Sequence, residues 1–263
     1  MASGSRRLIR RAPSVAAAAA LPEAVLGYPL ALERPARGHR LRLSVAAHCV
    51  RMVWPQGVAT ALAVDFFEQH RPWVESTVRA HRQVEERARA HLALDPRWPG
   101  RVPWFGRLLP LHFETGPARL VVSDDALHCR VPEGPSAARA VRRLIVAGLG
   151  EGLAARSRSR LADYEPLIGA RCQQLRIRPM RSLWGSLSPQ GVVSLNLALA
   201  FADQALAEYV LVHELAHFRE RNHGPRFWGH VAQLCPDYRE RRSQLNAEHR
   251  YLQALLERLQ TLA

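Results

Sequence analysis

The feature that most constrains this chain is an H-E-x-x-H motif at residues 213–217, which lies within a segment of helical periodicity. His213 and His217 are four residues apart and therefore share one face of a helix. That face also carries apolar residues, so both imidazoles are expected to point inward. Buried polar groups without partners cost free energy. The motif therefore predicts an inward-facing helix whose two histidines can bind one metal ion.

A third histidine follows the motif at a spacing that suits metal binding. His223 lies six residues after His217, in an Asn-His-Gly-Pro sequence where the chain is expected to turn back. Three protein ligands and one open position are typical of catalytic zinc sites. Glu214, about 100° around the helix from His213, is predicted to reach a water at the metal without being a ligand. The sequence thus predicts zinc as cofactor, bound by His213, His217 and His223.

The composition excludes several classes of protein. The chain has 263 residues, of which 48% are hydrophobic and 23% charged, and this excludes a wholly disordered protein. No apolar run is long enough to cross a bilayer, so no membrane interaction is expected. The four cysteines include no C-x-x-C pair, which favours a reducing compartment and a cytoplasmic location. Nothing in the sequence indicates an oligomeric state.

The charge of the chain indicates the kind of partner it attracts. There are 37 basic side chains, all of them arginine, against 23 acidic ones, and the formal net charge is +14. Such a surface attracts anions, so nucleic acid or another polyanion is a candidate partner. The simpler interpretation is a solvated basic surface without a dedicated polyanion.

The pattern of the chain predicts an α+β fold in which strands dominate the first half and helices the second. Residues 1–22 are expected to form a disordered basic leader, because they contain four arginines and an alanine run. Residues 23–135 are predicted to form a β-rich N-terminal subdomain with one long helix. Residues 136–263 form the second subdomain, which contains the H-E-x-x-H helix.

Periodicity also predicts the individual elements. Strands are expected at residues 41–45, 50–54, 108–113, 119–123, 127–131, 174–179 and 191–197. Helices are expected at residues 63–94, 136–161, 203–221, 225–234 and 236–262. Asp203 is the predicted N-cap of the third of these helices, and Pro225 suits the first turn of the fourth. Pro72 should kink or divide the first helix, three glycines should weaken the second, and residues 184–186 should form a turn.

Several short motifs resemble those of a known family. They are Trp-Gly-Ser at 184–186, the H-E-x-x-H motif, Asn-His at 222–223, Phe-Trp at 227–228 and Pro-Asp-Tyr at 236–238. Together they resemble the YgjP-like metallopeptidase family, which is related to zincins of the SprT and Wss type. The resemblance implies a zincin-like C-terminal region, a zinc site at the three histidines, Glu214 as the catalytic acid/base, and a polypeptide substrate.

Two positions depart from the pattern of that family. The family usually has Arg-Trp-Gly-Ser-Cys where this chain has Leu183 and Leu187 at the two ends of the same run. Both the arginine and the cysteine are therefore absent here.

Other residues are candidates for supporting roles. Tyr238 and Arg242 could stabilise an oxyanion, although a structural role for a buried tyrosine is the simpler interpretation. Asn222 or Glu220 could hydrogen-bond to the metal-binding histidines. In zincin folds an extended peptide pairs with a strand beside the metal helix, and residues 191–197 are the candidate for that strand.

Two other functions remain open at this stage. The same zinc chemistry could hydrolyse another bond, such as a nucleotide phosphoanhydride, since an arginine-rich surface favours anions. Alternatively, the protein could be a nucleic-acid-associated factor with a structural metal. A structural zinc needs a fourth ligand, for which His230 is the candidate.

Overall fold

The computed structural model describes residues 21–46, 48–95 and 100–261. The predicted leader lies outside these residues except for its last two, and Leu21 is buried in a hydrophobic core. Contacts divide the chain into two compact units, Met1–Gln83 and Val84–Ala263. Among the described residues, no helix is both long and apolar enough to span a membrane.

The first unit is a small sheet that shares its core with the first part of a long helix. Its inward-facing strand residues Val50 and Met52 pack in one cluster with Phe67 and Val74 of the helix. The sheet has the strand order β1-β2-β4-β3, in which β2 and β4 are parallel. The elements are β1 (Ala24–Val25), β2 (Tyr28–Glu33), β3 (Arg42–Val45), β4 (Val50–Val53) and α1 (Thr60–His91).

Helix α1 continues through Pro72, so the expected division of this helix is wrong. Proline removes one backbone donor from a helix. Phe67 and Val74, on either side of Pro72, are fully buried, and their burial favours the continuous helix.

The second unit is a mixture of strands and helices, as the predicted α+β class requires. Its first sheet has the order β5-β6-β8-β7, and its second has the order β10-β11-β9. The strands are β5 (Gly100–Trp104), β6 (Arg107–Thr115), β7 (Arg119–Val122), β8 (Leu127–Val131), β9 (Gln174–Arg178), β10 (Gly185–Leu187) and β11 (Val192–Asn196). The helices are α2 (Ala137–Ile168), α3 (Gln204–Ala216), α4 (Pro225–Leu234) and α5 (Tyr238–Thr261), and a 3-10 turn covers Leu197–Phe201.

One continuous core joins the strands β5–β8 to helices α2, α3 and α5. The contacts therefore place the boundary between units inside α1, at Gln83, whereas the sequence suggested a boundary at residue 135. The reason is that apolar faces far apart in the sequence are buried against each other, which local composition does not reveal.

Two of the three glycines of α2 mark close packing, and none of them interrupts the helix. A Cβ atom at Gly148 would lie 2.8 Å from Leu120 Cδ2 and 2.9 Å from the Trp104 ring. A Cβ atom at Gly152 would lie 2.9 Å from the Phe105 ring. Their cost in helix propensity is thus offset by the close approach of other side chains to the helix.

The second sheet differs from the sequence prediction in two ways. Residues 184–186 were expected to form a turn, but Gly185–Leu187 is the edge strand β10, which pairs with β11 in the antiparallel direction. Strand β11 also pairs in parallel with β9, so both of its edges are occupied. Residues 191–197 therefore cannot pair with a substrate peptide as the sequence suggested.

Helix α3 begins and ends for local reasons. The Asp203 carboxylate accepts a hydrogen bond from the backbone N–H of Ala205 at 2.8 Å, which confirms the predicted N-cap. The helix ends at Ala216, five residues before the predicted end at 221, and a turn follows. Helix α4 begins at Pro225, as predicted, because proline suits the first helical turn.

Asn196, at the end of β11, holds the loop that leads into β10. Its side-chain amide donates to the carbonyl oxygens of Met180 and Leu183, both at 2.8 Å. Its side-chain oxygen accepts from the N–H groups of Met180 at 3.3 Å and Ala198 at 3.1 Å. Because Asn196 is fully buried, water cannot replace these bonds.

We therefore expect Asn196→Ala to lower the free energy of unfolding by about 2–4 kcal/mol, since it leaves several buried backbone groups unpaired. Denaturant unfolding would measure this change. Gln190→Ala is the control, because Gln190 is exposed nearby and should change stability little. Equal stability of the two variants would contradict this role for Asn196.

Candidate active site

Three histidine side chains converge between the end of α3 and the start of α4. His213 lies in the last turn of α3, His217 caps the helix, and His223 lies in the following turn. Their potential ligand atoms all lie within 4.8 Å of one another, and the Nε2 atoms of His213 and His223 are 3.0 Å apart. In the described part of the chain, no other group of three or more such side chains converges in this way.

The spacing and chemistry of the three imidazoles suit a zinc ion. Zinc binds imidazole nitrogens at about 2.0–2.1 Å with tetrahedral geometry, which places two such nitrogens about 3.4 Å apart. The observed separations bracket this value. Three neutral nitrogen donors are also a common ligand set for catalytic zinc.

The protonation state of His217 follows from its hydrogen bond. Its Nδ1 atom lies 3.1 Å from the backbone carbonyl oxygen of Glu220. A carbonyl can only accept, so Nδ1 carries the proton and Nε2 keeps its lone pair for a metal. The partner is the backbone of Glu220, and neither its carboxylate nor the side chain of Asn222 fills this role.

The environment of His213 and His217 favours the neutral form that metal binding requires. Burial, together with the nearby His217, His223 and Arg242, lowers the pKa of His213 to about 3. Burial also lowers the pKa of His217 below its usual value. The Nδ1 atom of His213 is buried without a hydrogen-bond partner among the described residues.

Helix α4 supplies an aromatic platform for the three rings. The ring of Phe227, which is fully buried, lies 4.8 Å from His213, 4.6 Å from His217 and 4.6 Å from His223 between centroids. Trp228 lies next to Phe227 and stacks on Tyr238. This packing restricts the imidazole rotamers, a role that spacing in the sequence does not reveal.

The Glu214 side chain packs against strand β10. Its side chain is 6% exposed, and burial raises its pKa to about 8, while a hydrogen bond to the backbone of Leu187 acts in the opposite direction. A Cβ atom at Gly185 would lie 2.6 Å from Glu214 Oε1. Only a glycine at position 185 therefore leaves room for the carboxyl group in this position.

The three histidines, Glu214 and strand β10 line an open cleft of about 700 Å³. One wall consists of β10 and the residues beside it, and the other consists of the end of α3 and the turn after it. Leu183 and Leu187, the two departures from the family motif, both line the cleft, and Leu183 is 55% exposed. Another cavity, of about 830 Å³, is lined by residues such as Phe113 and Arg258 and contains none of the histidines.

Three other residues that the sequence suggested lie outside the cleft. Tyr238 is buried and stacks on Trp228, with 5.3 Å between ring centroids, so its position is structural. The Arg242 guanidinium lies over the ring of Trp228, 4.8 Å from its centroid. His230 does not belong to the histidine cluster.

An α+β unit with three converging histidines and a buried glutamate beside an open cleft defines a metal-dependent hydrolase class. The model of the YgjP-like metallopeptidase domain matches residues 39–248, about four fifths of the chain. The chain therefore belongs to the YgjP-like metallopeptidase family, which confirms the resemblance seen in the sequence motifs.

Comparison with solved structures and curated proteins adds two findings. The chain is similar to the crystal structure of the metallopeptidase zymogen of Pyrococcus abyssi abylysin, with 23% sequence identity and a TM-score of 0.33. That match covers 35% of this chain and 93% of the other. No curated protein matches the chain significantly.

The contact between Gly185 and Glu214 can be tested by Gly185→Ala. The added methyl group must displace the carboxyl, and a misplacement of this kind costs about 10²-fold in turnover. Metal content should stay unchanged, because no histidine contacts the new methyl group. Peptidase assays and elemental analysis would measure the two effects.

Gly229→Ala is the matched control, since a Cβ atom there meets nothing within 4 Å. It should retain full turnover. Full turnover of Gly185→Ala, with a thermal unfolding midpoint like that of the native protein, would show that the glycine does not position Glu214.

Proposed function

We propose that this protein is a zinc-dependent peptidase in which His213, His217 and His223 hold the metal and Glu214 is the general base. The observation that carries the proposal is the convergence of three imidazoles beside a buried carboxyl at the floor of a cleft. A zinc ion in this position would polarise the scissile carbonyl and lower the pKa of a water molecule.

Glu214 has the position of a base that acts on such a water. Its carboxyl lies at the cleft but is held against β10, which keeps it from joining the histidines as a ligand. A positive charge beside it would favour the ionised form, in which it can accept a proton. It can then transfer the proton to the leaving amine.

Strand β10 is the best candidate for binding the peptide backbone. One edge of β10 pairs with β11, and its other edge pairs with no strand among the described residues. An extended peptide can add to such an edge through main-chain hydrogen bonds, with little dependence on sequence. This strand replaces residues 191–197 in the substrate-binding role.

A purely structural metal is less well supported by the site. Structural zinc normally has four protein ligands and a closed coordination shell. Here the cluster offers three histidines, and it opens onto a cleft. The four cysteines are free in the structure and do not join the cluster, so they supply no fourth ligand.

We also propose a cytoplasmic location, with which the free cysteines agree.

The ligand set can be tested by His223→Ala. We expect one zinc per chain in the native protein and a clear loss of bound zinc in the variant, because two imidazoles hold zinc more weakly than three. Elemental analysis at neutral pH would measure the ratio. His230→Ala, the control, should bind zinc normally. Full occupancy of the His223→Ala protein would exclude His223 from the ligand set.

The general base can be tested by Glu214→Gln. Glutamine keeps the shape but cannot accept the proton, so turnover of a polypeptide such as casein should fall by roughly 10²-fold or more. Zinc content should be unchanged, because Glu214 is not a ligand. A variant with native zinc and native peptidase activity would disprove the proposed role. Hydrolysis of nucleoside triphosphates, with polypeptides left intact, would favour the phosphoanhydride alternative.

A further inference from the structure

We propose that Arg221 selects peptide substrates that carry a carboxylate near the scissile bond. This inference rests on the proposed peptidase function, and it names a substrate class for the same cleft. Among the described residues that line the cleft, Arg221 and Glu214 are the charged side chains other than histidine. Glu214 is buried at the floor, whereas Arg221 is exposed at the wall.

The backbone next to Arg221 is held in place by the metal site itself. Arg221 lies in the turn between α3 and α4. The preceding residue, Glu220, accepts the hydrogen bond from the His217 ring, and its N–H donates to the Ala216 carbonyl at 3.0 Å. The base of the Arg221 side chain is thus anchored a few residues from the metal-binding histidines, while its guanidinium remains free to contact a substrate.

Arg219 and Arg241 use their guanidinium groups inside the protein, whereas Arg221 does not do so within the described residues. Arg219 donates to the Ile168 carbonyl, and Arg241 pairs with Asp237 and Glu208. For Arg221, no ion pair or hydrogen bond of the side chain occurs within the described ranges of the chain. The N–H groups of its guanidinium are therefore available to bind a substrate.

The chemistry of this wall of the cleft favours a carboxylate. A guanidinium presents a planar set of donors that matches a carboxylate in a two-point contact. The opposite wall offers the apolar Leu183 and Leu187 and the hydroxyl groups of Ser186 and Ser188, but no charged side chain. Among the described residues that line the cleft, Arg221 is therefore the arginine that an acidic group on the substrate can meet. The carboxylate could be an Asp or Glu side chain or the free carboxyl terminus of a peptide.

The test uses internally quenched peptides that carry Glu or Gln at each of the positions flanking the scissile bond. For the zinc-loaded native protein we expect kcat/KM to be about tenfold higher for Glu at one position, the size of one charge-assisted hydrogen bond. Arg221→Gln should bring the Glu/Gln ratio close to one. Arg221→Glu should instead favour a peptide with Lys at the same position over the Glu and Gln peptides. Peptides with a free or an amidated carboxyl terminus distinguish the two sources of the carboxylate.

Arg226→Gln is the matched control, because Arg226 is also exposed and unpaired within the described residues but lies outside the cleft. Both variants lose one positive charge, so only a local contact makes them differ. Arg226→Gln should keep the native Glu/Gln ratio. An equal loss in both variants, or a native ratio of one at every position, would overturn the proposal.

A binding measurement separates this inference from the proposed function. Fluorescence anisotropy of labelled Glu and Gln peptides on the Glu214→Gln protein reports affinity without turnover, and adding Arg221→Gln to that protein should remove the preference. Preferential binding without any hydrolysis by the native protein would reject the peptidase and keep the Arg221 contact. Hydrolysis without preference in either assay would reject the contact alone.

Discussion

The site depends on the position of one buried carboxyl group. Helix α3 is covered on most of its surface, so Glu214 cannot turn to solvent, and its side chain fills the space left by the missing side chain of Gly185. Burying a carboxyl raises its free energy, and the backbone of Leu187 offsets part of this cost through a hydrogen bond. Glu214 lies against β10 and does not belong to the cluster that His213, His217 and His223 form. The edge strand, the helix and the cleft between them thus form one arrangement.

The surroundings of the three histidines favour the metal site that we propose there. Burial keeps His213 and His217 neutral, and the Glu220 carbonyl fixes the tautomer of His217. Phe227 contacts all three rings and limits their rotation. These factors reduce the rearrangement needed when a cation binds, because His217 already has the required tautomer and Phe227 limits the rotation of the rings.

Much of the local structure of the second unit could be predicted from the sequence. The N-cap Asp203, the start of α4 at Pro225 and the α+β class follow from short-range rules and are confirmed. The family resemblance, carried by motifs near the histidines, is confirmed as well. The errors concern long-range pairing: β10 was expected to be a turn, and β11 was expected to have a free edge. A three-residue strand has too few residues to show alternation, so its partners alone define it.

The sequence by itself determined that His213 and His217 share a helix face and that a third histidine follows in a turn, because helical period and turn chemistry are local properties. Only the tertiary structure decided which glycine accommodates Glu214, which backbone carbonyl orients His217, and which arginine lines the cleft. Those contacts join residues that are far apart in the chain or depend on the path of a turn. A periodic pattern in the sequence does not predict these contacts, because they form only when the packing of the whole unit brings the residues together.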